Sequence, residues 1–118
     1  MKKRGDLAYL RDIVDAAAHI EGFLAGLSNQ RFLQEQLYQS AVLRELEVIG
    51  EASRNLSAQL RERYPGVPWT DIVGMRNRIA HGYFAIRMRA VWETVTNDVP
   101  VFKRQVEGIL ADLGSRDK

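Results

Sequence analysis

Four residues that could do chemistry together fall within positions 76–83 of this chain: Arg76, Asn77, His81 and Tyr83. They lie in the stretch Met75-Arg76-Asn77-Arg78-Ile79-Ala80-His81-Gly82-Tyr83-Phe84, and His81 is one of 2 histidines among 118 residues. Histidine near arginine is the minimum equipment for cleaving RNA without a metal. Imidazole titrates near neutrality, so it can take a 2′-hydroxyl proton or protonate the leaving oxygen. A guanidinium is planar, charged and matched to phosphate oxygens, so it can stabilise the charge that develops in the transition state. Arg78 and Arg87 are candidates to hold the RNA backbone. One histidine does not readily act as both base and acid, which favours a site shared by two chains.

Helical geometry sets the difficulty. Asn77 and His81 are i,i+4 and share a face of a helix, and Arg76 shares a stripe with Tyr83. Arg76 and His81 are five apart, which separates them by about 140°. Three arrangements would still converge them. The helix can end near Ala80 to Gly82 and re-aim His81, since glycine is the usual helix stop. The long arginine can bend round. Or two copies of the motif can meet across a twofold axis.

The elements that must carry these residues all read as helix. Leu7, Leu10, Ile13, Val14, Ala17, Ile20, Leu24 and Leu27 recur at three and four, which predicts a first helix capped by Asp6 and running to about Leu27. A second segment, about 31–60, keeps that spacing through Phe32, Leu33, Leu37, Ala41, Val42, Leu43, Leu46, Ile49 and Leu56. Gly50 interrupts it at a cost of ~1 kcal/mol against alanine, and close approach of another helix backbone would account for it. Glu45, Glu47 and Glu51 read as a solvated face with Arg44 and Arg54 as partners, not as metal ligands. His19, on the flank of the first stripe, reads as a partly exposed surface histidine. Tyr64-Pro65-Gly66-Val67-Pro68-Trp69 is a loop, with Trp69 packing back on the core. Thr70 or Pro68 then opens the helix that carries the motif, to about His81. A last helix starts around Arg87 with the stripe Val91, Val95, Val99, Phe102, Val106, Ile109 and Leu113. Pro100 lies inside it and predicts a kink or restart capped by Asn97 or Asp98. The expected fold is all-α: a single domain over 1–118, an up-down bundle of four or five helices with a kinked last helix.

Composition narrows the classes. Apolar residues make up 46% and charged residues 27%, as in ordinary globular domains. The formal charge of +2 is mildly basic, compatible with nucleic acid but not a basic tail. Cysteine is absent, which removes disulfides and thiolate metal sites and fits a cytoplasmic protein. No apolar run reaches the ~18 residues of a membrane span. After Lys2, Lys3 and Arg4, the charges of Asp6, Arg11, Asp12 and Asp15 break up any signal-peptide core.

The motif resembles the signature of HepT-like HEPN-domain proteins: arginine, four to six residues, then histidine, with asparagine after the arginine and tyrosine two after the histidine. Ile49-Gly50-Glu51-Ala52, Pro68-Trp69 and Val91-Trp92-Glu93 sit where such proteins carry similar words, and the likeness covers about residues 6–112. The resemblance implies an all-α bundle that forms a homodimer with both motifs in one cleft. It implies a toxin of a toxin–antitoxin pair (the type VII class), acting as a metal-independent endoribonuclease on cellular RNA without a cofactor. Its implied partner is a minimal nucleotidyltransferase antitoxin that adenylylates the tyrosine. Carried over, Arg76 and His81 are the catalytic pair, Asn77 orients or assists, and Tyr83 is the modification site. The chain departs from the pattern at Ala85, Arg87 and Arg89, where many relatives carry acidic residues. Extra positive charge there favours RNA and alters antitoxin docking. The competing reading is a non-catalytic, nucleotide-binding helical subunit that partners a nucleotidyltransferase, with Arg76 and His81 on a nucleotide phosphate. A third is structural, with Arg76, Asn77 and His81 merely cross-linking helices in an oligomer.

Overall fold

The computed structural model describes residues 4–82 and 86–116, the last of these by its backbone alone. Every regular element among them is helical: α1 (Asp6–Leu24), α2 (Asn29–Gln34), α3 (Gln36–Asn55), α4 (Ala58–Arg63), α5 (Trp69–His81), α6 (Met88–Glu93), a π-helical turn (Thr94–Asp98) and α7 (Val99–Arg116). The all-α expectation holds.

The first stripe does what its spacing implies. Leu10, Ile13, Ala17 and Ile20 of α1 have no exposed surface, and burial of such side chains supplies ~1.5–3 kcal/mol for each large one. The helix is shorter than expected at its C-terminal end, stopping at Leu24 ahead of Gly26, whose φ of +73° is left-handed and suits glycine. Asp6 is not the cap. Gly5 holds that position, and the Asp6 carboxylate reaches α4 instead, accepting from the backbone N–H of Ser57 at 2.8 Å and from its hydroxyl at 2.7 Å.

The segment expected as one helix over 31–60 is three. Ser28 caps α2 by accepting from the Arg31 N–H at 3.1 Å, and Glu35 is extended (φ −112°, ψ 106°) between α2 and α3. The Gln39 side-chain amide stabilises this break by donating to the carbonyls of Phe32 and Leu33 at 2.9 and 3.1 Å. Phe32 is fully buried and packs on Trp92 of α6, ring centroids 5.3 Å apart. Ser57 caps α4 through the Leu60 N–H at 3.1 Å. Serine caps of this kind contribute about 1 kcal/mol each.

Pro100 disturbs the last helix without breaking it. A proline has no N–H to give to the carbonyl four residues back, and its ring collides with that carbonyl in a regular α-helix. The π-turn at Thr94–Asp98 absorbs the conflict, since one wider turn re-routes the bonding. Asn97 and Asp98 lie inside this turn and cap nothing, because Val99 continues with helical dihedrals (φ −61°, ψ −44°). The stripe survives: Val91, Val95, Val99, Phe102, Val106 and Ile109 are all buried.

The long helices pack in sequence: α1 along α3, α3 along α5, and α1 along α7. Trp69 pins the start of α5, donating its indole N–H to the Tyr64 carbonyl at 3.0 Å and meeting Phe102 of α7 edge-on at 5.9 Å. Beyond that anchor, α5 and the α6–α7 arm stand apart. Two cavities of about 510 and 380 Å³ lie between them, with Leu46, Met75, Arg78 and Thr94 lining both. Among the described residues no helix is long and apolar enough to cross a membrane.

Candidate functional site

Among the described residues, the site candidates Arg76, Asn77, Arg78 and His81 are carried by α5 and Arg87 caps α6, so the seating of α5 decides what most of them can do. Its inner side buries Trp69 and Ile79, with Ile72 and Met75 half-buried against the core. Arg76 follows on the edge facing α3, where Gly50 receives it. A Cβ built on Gly50 would stand 2.0 Å from Arg76 Cβ and 2.7 Å from its Cγ. The close approach expected at Gly50 is therefore real, and the residue that approaches is Arg76 itself.

The guanidinium is held from two sides. Nη2 lies 3.2 Å from Oε2 of Glu51, and Nη1 donates to Oδ1 of Asn77 at 3.2 Å. Glu51 Oε2 is shielded from solvent and accepts no well-aimed hydrogen bond, so the contact with Nη2 is an ion pair. The other oxygen, Oε1, is engaged by its own helix, by Asn55 Nδ2 at 3.3 Å and Arg54 Nη2 at 3.5 Å. The Glu51 side chain is 42% exposed, in keeping with the expected solvated face, yet it also reaches a second helix. Arg54 is a partner as foreseen, but Arg76 from another helix is the second. Of its companions, Glu45 sits 3.0 Å from His19 Nδ1, and that histidine side chain is largely exposed.

His81 is the last residue of α5 and is exposed. The helix stays regular up to it and stops one residue later, where the Gly82 N–H bonds back to the Arg78 carbonyl at 2.7 Å. The glycine stop does not swing His81 toward Arg76, and no hydrogen bond or ion pair joins the two. The arginine bends part of the way, since Asn77 shares the His81 face of the helix. Arg78 points to the other flank, into the trench between α5 and the α6–α7 arm. Arg87, the N-cap residue of α6, borders the same 380 Å³ cavity together with Gly82 and Ile86. Arg76 instead borders a polar basin of about 320 Å³ with Arg4, Arg44, Glu47 and Glu51. The candidate residues are therefore split: Arg76 on the α3 flank, Arg78 and Arg87 on the trench, Asn77 on the face it shares with His81, and His81 at the tip. Tyr83 and Ala85 lie outside the described residues. Among the described residues no group of three or more His, Asp or Glu side chains is placed to hold a metal ion.

Sequence reasoning missed the role of Glu51. The signal for it was present: a glycine that implies a close helix, followed directly by a carboxylate.

Comparison with known proteins bears on the same stretch. The family model described as "Ribonuclease HepT-like" matches residues 13–109. The protein named "Putative RNase MJ1380" of Methanocaldococcus jannaschii is 40% identical over 107 residues, which are 91% of this chain and 98% of that protein. "Probable ribonuclease HepT" of Thermococcus cleftensis is 38% identical over 105 residues, 89% of this chain and 96% of its own. "Putative RNase TTE0752" of Caldanaerobacter subterraneus subsp. tengcongensis is 36% identical over 102 residues, 86% and 91% of the two chains. No solved structure gives a significant match. The chain carries the motif, the helical frame and the sequence kinship together, and it belongs to the HepT-like family.

Proposed function

We propose that this chain is a metal-independent endoribonuclease, the toxin of a toxin–antitoxin pair, acting on cellular RNA in the cytoplasm. The observation that carries the reading is the state of Arg76. It is braced by Glu51 and Asn77, yet its side chain keeps 24% of its surface exposed. A guanidinium has five N–H donors, and the braces engage at most two, so donors remain for phosphate oxygens. Arg78 and Arg87 add positive charge along the neighbouring trench, where an RNA backbone would be held.

The chemistry is transesterification. His81 removes the 2′-hydroxyl proton, the 2′-oxygen attacks the adjacent phosphorus, and the bond from phosphorus to the 5′-oxygen breaks. A protonated imidazole returns a proton to that leaving oxygen. The products are a 2′,3′-cyclic phosphate and a 5′-hydroxyl. Arg76 stabilises the negative charge on the phosphate as bonds form and break. Base and acid are two different imidazoles in this scheme. The ~140° between Arg76 and His81 on one regular helix favours a homodimer, in which His81 of one copy serves beside Arg76 of the other.

Control is assigned to Tyr83. A minimal nucleotidyltransferase antitoxin transfers AMP from ATP to its hydroxyl, with pyrophosphate leaving. That places a bulky anion two residues from His81, where it blocks and repels RNA.

The test is RNA cleavage by the purified chain, wild type against His81→Ala, with and without EDTA. Intact mass first excludes AMP on Tyr83. Cleavage that survives EDTA and falls ~10²-fold or more in the variant supports the proposal. Absence of cleavage by unmodified wild type overturns it and hands the site to the nucleotide-binding reading.

A further inference from the structure

Gly50 and Glu51 are consecutive residues of α3, and each does something different to the same side chain of α5. Gly50 removes the atom that would hold the helices apart, so the Arg76 stem lies on bare backbone. Glu51 then presents a solvent-shielded oxygen 3.2 Å from Nη2 at the far end of that side chain. The side chain is 42% exposed, and both of its carboxylate oxygens are engaged. Its Oε1 is tied to Asn55 and Arg54 within α3, which aims Oε2 across the helix interface. Arginine loses rotamer entropy on being fixed, and a prior brace removes that cost from the reacting complex.

We propose that Glu51 is a positioning residue for Arg76, seated by Gly50, and that it sets the direction in which the guanidinium meets a scissile phosphate. The inference rests on the ribonuclease reading of Arg76. Glu51 does not touch substrate. It acts through Arg76, by holding one edge of the guanidinium so that the remaining N–H groups keep a fixed heading. A Glu51 that merely happened to be near would act with the opposite sign. A carboxylate beside the phosphate site repels RNA, so removing it would tighten binding and speed turnover.

The experiment compares wild type, Glu51→Gln and Glu51→Asp in steady-state RNA cleavage, with melting temperature alongside. Positioning predicts that Glu51→Gln lowers kcat about 10²-fold while KM stays level or falls, at unchanged melting temperature. Glu51→Asp keeps the charge but withdraws it by one methylene, and its kcat falls between the two. A Glu51→Gln enzyme with unchanged or raised kcat overturns the proposal. So does a fall in kcat that only tracks a fall in melting temperature. A second readout does not depend on activity: ¹⁵N relaxation of the Arg76 Nε–H group, assigned by its loss in Arg76→Lys. Its order parameter is expected to fall in Glu51→Gln. If unmodified wild type cleaves no RNA, the ribonuclease reading fails, and the relaxation result alone decides whether Glu51 holds Arg76. An unchanged order parameter there overturns the brace as well.

Discussion

The two flanks of α5 are built on opposite principles. Toward α3, the helix is seated so closely that a single added methyl group has no room at Gly50. Toward the α6–α7 arm, it borders cavities of about 510 and 380 Å³ and touches α7 at its Trp69 end. The tight flank carries Arg76 and the groups that fix it. The open flank carries Arg78 and, across the gap, Arg87. On the proposed reading, a side chain whose heading matters is thus put where the backbone cannot move, and charges that need only attract a polyanion are put where there is space. Packed interiors resist displacement because they have no free volume, whereas a wall of an open groove can shift at little cost.

The contrast can be broken at three points, in falling order of effect. Trp69→Ala removes the contact that ties the start of α5 to α7, where the indole is 6% exposed. Loss of that side chain and its hydrogen bond is expected to cost ~3–5 kcal/mol in denaturant unfolding, and a cost under ~1 kcal/mol would show that α5 is held elsewhere. Gly50→Ala comes next. Its Cβ must move from 2.0 Å to at least the 3.4 Å of ordinary contact with Arg76 Cβ, and both atoms are fixed to helix backbone. Overpacking of this kind costs ~1–3 kcal/mol, and the melting temperature should drop by several degrees. If Gly50→Ala melts like wild type, the tight flank is looser than its geometry implies. Val101→Ser is the smallest. Val101 lines the larger cavity and is 47% exposed, so the change should stay within about 0.5 kcal/mol. A cost above ~1 kcal/mol would mean that the open flank is closed in solution.

How much of this was legible in the sequence differs from element to element. The stripes of α1 and α7 were readable because each faces one core at helical spacing, and Ile13, Ile20, Val95 and Val106 are buried as that spacing requires. The breaks at Glu35 and Ser57 were not. Neither carries a glycine or proline, and the bonds that stabilise them come from Gln39 and from Asp6, the latter far away in the chain. Gly50 announced a close neighbour without naming it. That the neighbour is Arg76, and that Glu51 follows it there, depends on how two helices are docked, which helical periodicity does not encode. Pro100 announced trouble correctly, but a missing N–H specifies what bond is lost and not how the backbone answers.

That answer has a consequence for the phase of the helix. A π-turn fits one more residue into a turn than the α-helix does, so everything after it is rotated by about 100° from where an unbroken helix would set it. Before the turn, Trp92 points at Phe32 of α2; after it, Phe102 meets Trp69 while α7 lies along α1. One continuous rod therefore keeps two different azimuths, and a single stretch of chain serves as the back wall for α2 at one end and for α1 and α5 at the other.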